Sequence, residues 1–203
     1  MLEDQVKVSY SYFKTQIDNL EYFRKLDDFN CGDQGLNDFL QGQAIFFHGE
    51  GRGLTTLIIN EENNDIMGYY TIRCNALQYD TKSTEMRYVI TPGEDNSTEK
   101  YINLYEVIPV VEITRFAIDD KYKRKKVGAT VLSNLIIEII NNIASIIGVT
   151  AIFVLSSETA VDFYKYIGFE EFPEDIQKRI KESETSRCKG LYYTLSPLSE
   201  EDD

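Results

Sequence analysis

The chain has 203 residues, of which 42% are hydrophobic, and its 34 acidic and 21 basic side chains give a net charge of −13. No Gly/Ser/Pro-rich linker separates two patterned halves, so we expect one domain over residues 1–203, ending in an acidic tail at 199–203. The negative charge argues against non-specific nucleic-acid binding. Three scattered cysteines and an amino terminus without a signal-peptide pattern predict a cytoplasmic protein without a metal site.

The amino-terminal half contains one helix signal and one hairpin signal. Two β-rich runs, 54–59 and 66–72, flank a polar segment and predict an antiparallel hairpin. Residues 81–106 have no regular pattern, and 92–97 predict a loop. Apolar side chains recur at helical spacing after Asp33, which is the predicted cap: Leu36, Phe39, Leu40 and Ala44.

The second half predicts a strand, a helix and a second strand. Residues 110–119 form an apolar strand, and 127–147 form a helix that ends at Gly148. Polar residues interrupt this helix, so we expect it to be buried in the protein and not to span a membrane. The apolar run 151–155 then predicts a strand covered on both faces, which makes a right-handed parallel unit.

Three shorter elements are predicted after this unit. Residues 161–167 form a short helix before Gly168, and a polar helix runs from Glu174 to about Ser183. The aromatic run 191–195 is the predicted last strand.

A basic turn separates the strand at 110–119 from the long helix. The first N–H groups of a helix have no partner within it, and the helix dipole favours negative charge there. The turn therefore predicts an anion site for a phosphorylated cofactor. Its five cationic side chains are Lys121, Lys123, Arg124, Lys125 and Lys126.

Three segments together resemble the GNAT superfamily of acyl-CoA-dependent N-acetyltransferases: 116–119, 121–129 and 160–169. The resemblance covers roughly 24–172 and is strongest over 112–169. It implies an α/β fold with a mixed central β-sheet flanked by helices, and acetyl-CoA as the co-substrate.

The family's pyrophosphate loop usually reads Arg or Gln, two residues, Gly, one residue, Gly or Ala. The corresponding positions here are Lys123, Lys126 and Gly128, so a lysine replaces the first glycine.

The segments 26–32, 36–40 and 114–119 are similar to the branch of the superfamily that includes toxins acetylating the amino acid on charged tRNA. Those toxins tend to present basic surface to tRNA, whereas this chain is strongly acidic. We therefore expect transfer to a primary amine, with aminoacyl-tRNA as the alternative acceptor. An antitoxin, tRNA and a second copy of the chain remain open as partners, and no membrane partner is expected.

The resemblance also implies cofactor contacts. Backbone N–H groups of Phe116, Ala117 and Ile118 would pair with the pantetheine arm and hold the thioester carbonyl oxygen. Ser157 follows the second strand and is a further candidate, although it could equally cap the next helix. The pyrophosphate would lie on the loop and helix start: Lys123, Arg124, Lys125, Lys126, Val127, Gly128 and Ala129.

Two residues are the predicted catalytic groups for direct attack of the amine on the thioester. By family position Tyr164 donates a proton to the departing thiolate, and Tyr166 is the competing tyrosine. Glu112 is the predicted general base, with Glu106 as an alternative. A competing hypothesis is a non-catalytic acyl-CoA sensor, suggested by the lysine at position 126.

Overall fold

The computed structural model describes residues 11–80, 105–174, 176–177 and 188–195. Seven strands form one sheet in the order β1-β2-β3-β4-β5-β7-β6, and every pair is antiparallel except β4 and β5. The predicted mixed sheet is confirmed. The strands are β1 Tyr12–Gln16, β2 Leu54–Asn60, β3 Ile66–Asp80, β4 Tyr105–Ile118, β5 Ala151–Ser156, β6 Glu170–Glu171 and β7 Lys189–Thr194.

Helices cover both faces of this sheet. The first helix is a continuous run over 34–49, the long helix is Val127–Ile147, and the short helix is Val161–Ile167. Asp33 caps the first helix as predicted, since its Oδ1 accepts a hydrogen bond from Leu36 N at 3.0 Å. The first helix consists of three consecutive segments, Gln34–Asp38, Phe39–Gln43 and Ala44–Gly49. Three 3-10 helices lie elsewhere in the described chain: Leu20–Asp28, Asp120–Tyr122 and Glu158–Ala160.

The elements predicted from local patterns are present, with different lengths. The hairpin is formed by β2 and β3, but β3 extends to Asp80, and β4 begins at Tyr105. The long helix ends at Gly148, which has φ +64°. The predicted loop at 92–97 lies outside the described residues. Of the predicted polar helix, only Glu174 and 176–177 are described, and they are helical.

The long helix is buried on one face only, which corrects the expectation of a buried helix. Leu132, Leu135 and Ile139 are buried in the core beneath it, whereas Ile146 is 79% exposed. By length and composition alone the helix could cross a membrane, a criterion that core helices also satisfy. Its packing against the sheet gives it a place in the core of this fold.

Strands β4 and β5 pair over four residues and then continue separately. The parallel ladder joins Val110–Ile113 to 151–154, and β4 runs on to Ile118. A bulge lies just beyond the ladder: Thr71 pairs with Arg115 and Ile72 with Ile113, so Thr114 is the extra residue. The bulge and the end of the ladder coincide, and they open the sheet between the two parallel strands.

Candidate active site

The edge of β4 that faces β5 has no strand partner beyond Ile113 in the described part of the chain. The predicted contact residues Phe116, Ala117 and Ile118 lie on this segment. Extended backbone exposes N–H and C=O groups that need hydrogen-bond partners. The edge is thus suited to an extended chain that carries amide groups.

Close packing brings the end of β4 against the start of the long helix and against the short helix. A Cβ on Gly128 would lie 3.3 Å from Ile118 Cγ1 and 3.6 Å from the Phe163 ring. The Phe116 and Phe163 rings stack with centroids 5.9 Å apart. The structure therefore places three of the predicted segments together: 116–118, the helix start at 127–129, and the short helix that carries Tyr164.

The backbone of the basic loop, which is the turn formed by residues 121–126, adopts left-handed conformations at two non-glycine residues. Arg124 has φ +58° and Lys126 has φ +62°, and Lys126 is the residue before the first turn of the long helix. Each such residue costs about 1–2 kcal/mol relative to a right-handed conformation. A glycine at position 126 would adopt this turn without the cost, and the first N–H groups of the helix that follows have no partner within the helix.

Four of the five cationic side chains of the loop divide into two groups. Lys123 Nζ donates to the Cys31 carbonyl at 2.5 Å and lies 2.7 Å from Asp120 Oδ1, and Lys125 Nζ lies 5.7 Å from the Tyr122 ring centroid. Arg124 and Lys126 are exposed and have no side-chain partner among the described residues. The role of all four side chains as phosphate ligands stays a prediction.

Asp119 fastens the basic loop to the segment that precedes the first helix. Its buried carboxylate accepts hydrogen bonds from Lys121 N and Asn30 N, both at 2.9 Å. Asp120 N in turn donates to the Asn30 carbonyl at 2.9 Å. The similarity over 26–32 marks this segment in the sequence, but its contact with the loop becomes visible only in the fold.

Replacement of Asp119 by alanine is expected to destabilise the protein by about 2–4 kcal/mol, because two part-buried backbone N–H groups lose a charged acceptor. It should also weaken acetyl-CoA binding, since the loop loses its attachment. Denaturant unfolding and calorimetry measure the two effects. Asp120→Ala is the matched control: that carboxylate is exposed and its ion pair with Lys123 is worth less than about 1 kcal/mol. Equal losses in the two variants would contradict this role of Asp119.

The Tyr164 ring is buried in an aromatic cluster on the short helix. It makes edge contacts with Phe163 and Phe169, with centroids 5.3 and 5.4 Å apart. Burial raises the pKa of Tyr164 above its ordinary value, so the phenol is protonated at neutral pH. No described residue is hydrogen-bonded to its hydroxyl. Tyr166, in contrast, is 72% exposed.

Glu112 is buried and held by two side chains of the neighbouring strand. Its Oε2 accepts from Arg73 Nε at 2.6 Å and from Asn75 Nδ2 at 2.7 Å. Its other oxygen has no donor among the described residues. The role of Glu112 as general base stays a prediction, and the side chain of Glu106 lies outside the described residues.

Sequence reasoning missed Arg73 and Asn75. An arginine and a glutamate that lie 39 residues apart become neighbours only when the β3–β4 register is known. The alternation of side chains along β3 could have placed Arg73 and Asn75 on one face of the sheet, but it could not have identified Glu112 as their partner.

Ser157 lies on the turn between β5 and the short helix. It is the N-cap residue of the helical turn Glu158–Ala160, as the alternative interpretation predicted, but its hydroxyl is 3.1 Å from the Thr159 hydroxyl and makes no capping hydrogen bond. Its contact with a cofactor stays a prediction. Within the described ranges, no group of three or more His, Cys, Asp or Glu residues could hold a metal ion.

Comparison with known families gives one match, over residues 94–180, to the family described as the acetyltransferase (GNAT) domain. These residues include β4, the basic loop, the long helix, β5 and the short helix.

Comparison with solved structures gives matches over nearly the whole chain. A bacterial toxin superposes with a TM-score of 0.68 at 13% identity and covers 92% of both chains. A tyrosine-to-phenylalanine variant of the AtaT toxin, bound to the C-terminus of the antitoxin AtaR and to acetyl-CoA, gives 0.65 at 19% identity, over 91% of this chain and 93% of that one. AtaT complexed with acetyl-methionyl-tRNAfMet gives 0.64 at 20% identity, over 91% and 95%. Identities at this level show a shared fold.

Proposed function

We propose that this chain, which matches the acetyltransferase (GNAT) domain over residues 94–180, transfers the acetyl group of acetyl-CoA to a primary amine, with the α-amino group of an aminoacyl-tRNA as the favoured acceptor. One observation carries the proposal. Beyond Ile113, β4 separates from β5 beside a basic loop at the start of a helix. This arrangement places an extended backbone edge beside an anion site, so one acetyl-CoA molecule could contact both.

The described residues fit acetyl-CoA in two places. Arg124, Lys126 and the N–H groups at the start of the long helix are suited to the pyrophosphate, because cations and unpaired donors converge there. The free edge of β4 at 116–118 is suited to the amide groups of the pantetheine arm. Bound in this way, acetyl-CoA supplies the acetyl group as a thioester.

Three groups of the protein would then carry the reaction. A new N–C bond forms as the C–S bond breaks, the amine loses one proton, and the sulfur gains one. Backbone N–H groups on the free edge of β4 at 116–118, which alternate with those bonded to β3, hold the carbonyl oxygen as negative charge develops on it. Glu112 receives the amine proton through a water, and Tyr164 donates a proton to the thiolate. Proton exchange with solvent restores both side chains.

The choice of acceptor rests on the comparisons with toxins. Those matches extend over more than nine-tenths of this chain, and one of the matched toxins is complexed with an acetylated aminoacyl-tRNA. The net charge of −13 opposes long-range attraction of tRNA, so binding must depend on local cations near the reacting groups. An antitoxin and a second copy of the chain as partners stay predictions.

Incubation with isotopically labelled acetyl-CoA tests the proposal. Mass spectrometry is expected to detect N-acetylated aminoacyl-tRNA, and deacylated tRNA should remain unlabelled as the control. Expression in cells should arrest growth while acetylated aminoacyl-tRNA accumulates. Label in peptides or small amines alone would support the general-amine alternative. Tight binding of acetyl-CoA without turnover on any amine would instead support the sensor hypothesis.

A further inference from the structure

A buried ion pair lies on the sheet face opposite the long helix. Val111 and Ile113 face the core beneath that helix, so Glu112 between them faces the other side. There Arg73 Nε and Asn75 Nδ2 both donate to Glu112 Oε2. The carboxylate side chain is 6% exposed, whereas the guanidinium side chain is 44% exposed.

The contact through Nε leaves the outer edge of the Arg73 guanidinium available. Neither Nη group has a partner among the described residues. Because the buried carboxylate fixes the arginine, little side-chain entropy remains to be lost when the outer edge binds a ligand. Two parallel N–H donors on a planar group match a phosphate or carboxylate.

This edge lies close to the point where acetyl transfer is proposed. Glu112, the partner of Arg73 across the sheet, immediately precedes Ile113, after which β4 and β5 separate. Arg115 lies on the same face, since its guanidinium is 5.0 Å from the Phe39 ring of the first helix. Two cations thus flank this side of the opening in a strongly acidic chain.

Stability alone does not account for the pair. A buried ion pair contributes little net stability compared with apolar side chains of similar volume, because both charges lose hydration. The arrangement is explained more directly if the exposed half of the guanidinium has a ligand.

We propose that Arg73 is an acceptor-binding residue, held in place by Glu112 and Asn75, whose Nη edge binds the phosphate adjacent to the aminoacylated nucleotide. The inference rests on the proposed acceptor and names the contact that the protein makes with it. Arg73 would select acceptors in which an anion accompanies the amine.

The test compares two probes that differ only in a phosphate: 3′-methionylamido-3′-deoxyadenosine and its 5′-phosphate. Their affinities for the CoA-loaded protein are measured by calorimetry. In the wild type we expect the phosphate to tighten binding about 10-fold, the effect of one charge-assisted contact at a partly exposed site. In the R73Q/E112Q variant this gain should disappear, although the net charge is unchanged and no buried charge is left unpaired.

Two further variants complete the design. E50Q/R52Q removes an exposed Arg–Glu pair with a 3.4 Å contact and should retain the full phosphate gain. Arg73→Lys keeps a cation for Glu112 but has no second edge, so it should lose most of the gain even if the double variant folds poorly. Circular-dichroism melts report folding.

A phosphate gain that survives in folded R73Q/E112Q or in Arg73→Lys would overturn the inference, as would a wild type without any gain. If neither probe binds the wild type while aminoacyl-tRNA is still acetylated, the inference fails and the proposed function stands. If neither probe binds and no aminoacyl-tRNA is acetylated, both fail.

Discussion

Replacement of Tyr164 by phenylalanine is expected to lower kcat by about 10²–10⁴, the usual contribution of a positioned general acid. The substitution removes one hydroxyl from a ring that is packed between Phe163 and Phe169, so the aromatic contacts remain. Acetyl-CoA affinity and the melting temperature should change little. Rapid-quench measurement of a single turnover isolates the chemical step.

Tyr166→Phe is the matched control, because Tyr166 lies two residues further along the same helix and is exposed. It should retain most of the activity.

Burial raises the pKa of Tyr164, so the protonated form of Tyr164 should persist well above neutral pH. The activity should therefore not decline near pH 8 through loss of this proton. Near-normal single-turnover rates in Tyr164→Phe would mean that water or another side chain protonates the sulfur.

Charge reversal in the basic loop is expected to weaken acetyl-CoA binding by about 10²-fold or more. Each charge-assisted hydrogen bond to phosphate is worth roughly 1.5–3 kcal/mol, and R124E/K126E removes two cations and adds two anions. Both side chains are exposed, so the circular-dichroism melt should hardly change. Calorimetric titration with acetyl-CoA gives the dissociation constant, and an unchanged value would remove the loop from the binding site.

Lys126→Gly separates charge from backbone conformation in the same loop. Glycine relieves about 1–2 kcal/mol of left-handed strain at φ +62° but costs roughly 0.5–1 kcal/mol in the greater freedom of the unfolded chain. The variant should thus be slightly more stable while binding acetyl-CoA more weakly than the wild type. Wild-type affinity in this variant would show that the turn matters and the lysine charge does not.

The cations around the opening between β4 and β5 can attract tRNA locally, although the total charge of the chain repels it. A net −13 describes the field at long range, which falls off within about 10 Å at 0.1 M salt. Two cations, Arg73 and Arg115, flank one side of the opening, and Arg124 and Lys126 lie on the loop that follows β4. They act on a bound ligand at shorter distances than the total charge does. Association with tRNA should therefore be slow for such an enzyme, and contacts at the acceptor end should provide most of the affinity.

Local signals in the sequence determined the principal elements of this protein. Helical periodicity and a terminal glycine defined the long helix to Gly148, the apolar run at 151–155 defined β5, and Asp33 was identified as a cap. These features could be predicted because the periodicity of burial and the capping of a helix involve only residues that are close together in the sequence. The resemblance to GNAT proteins added the order of the elements and the family position of Tyr164.

The tertiary structure alone decided which residues meet. Asp119 binds the backbone of Asn30, 89 residues away, and Arg73 binds Glu112 across a register that the bulge at Thr114 shifts by one residue. A one-residue change of register moves every side chain of a strand to the opposite face, so no local pattern could fix these pairs. For the same reason the sequence supplied a basic loop, but only the fold directed Lys123 toward the protein and left Arg124 and Lys126 at the surface.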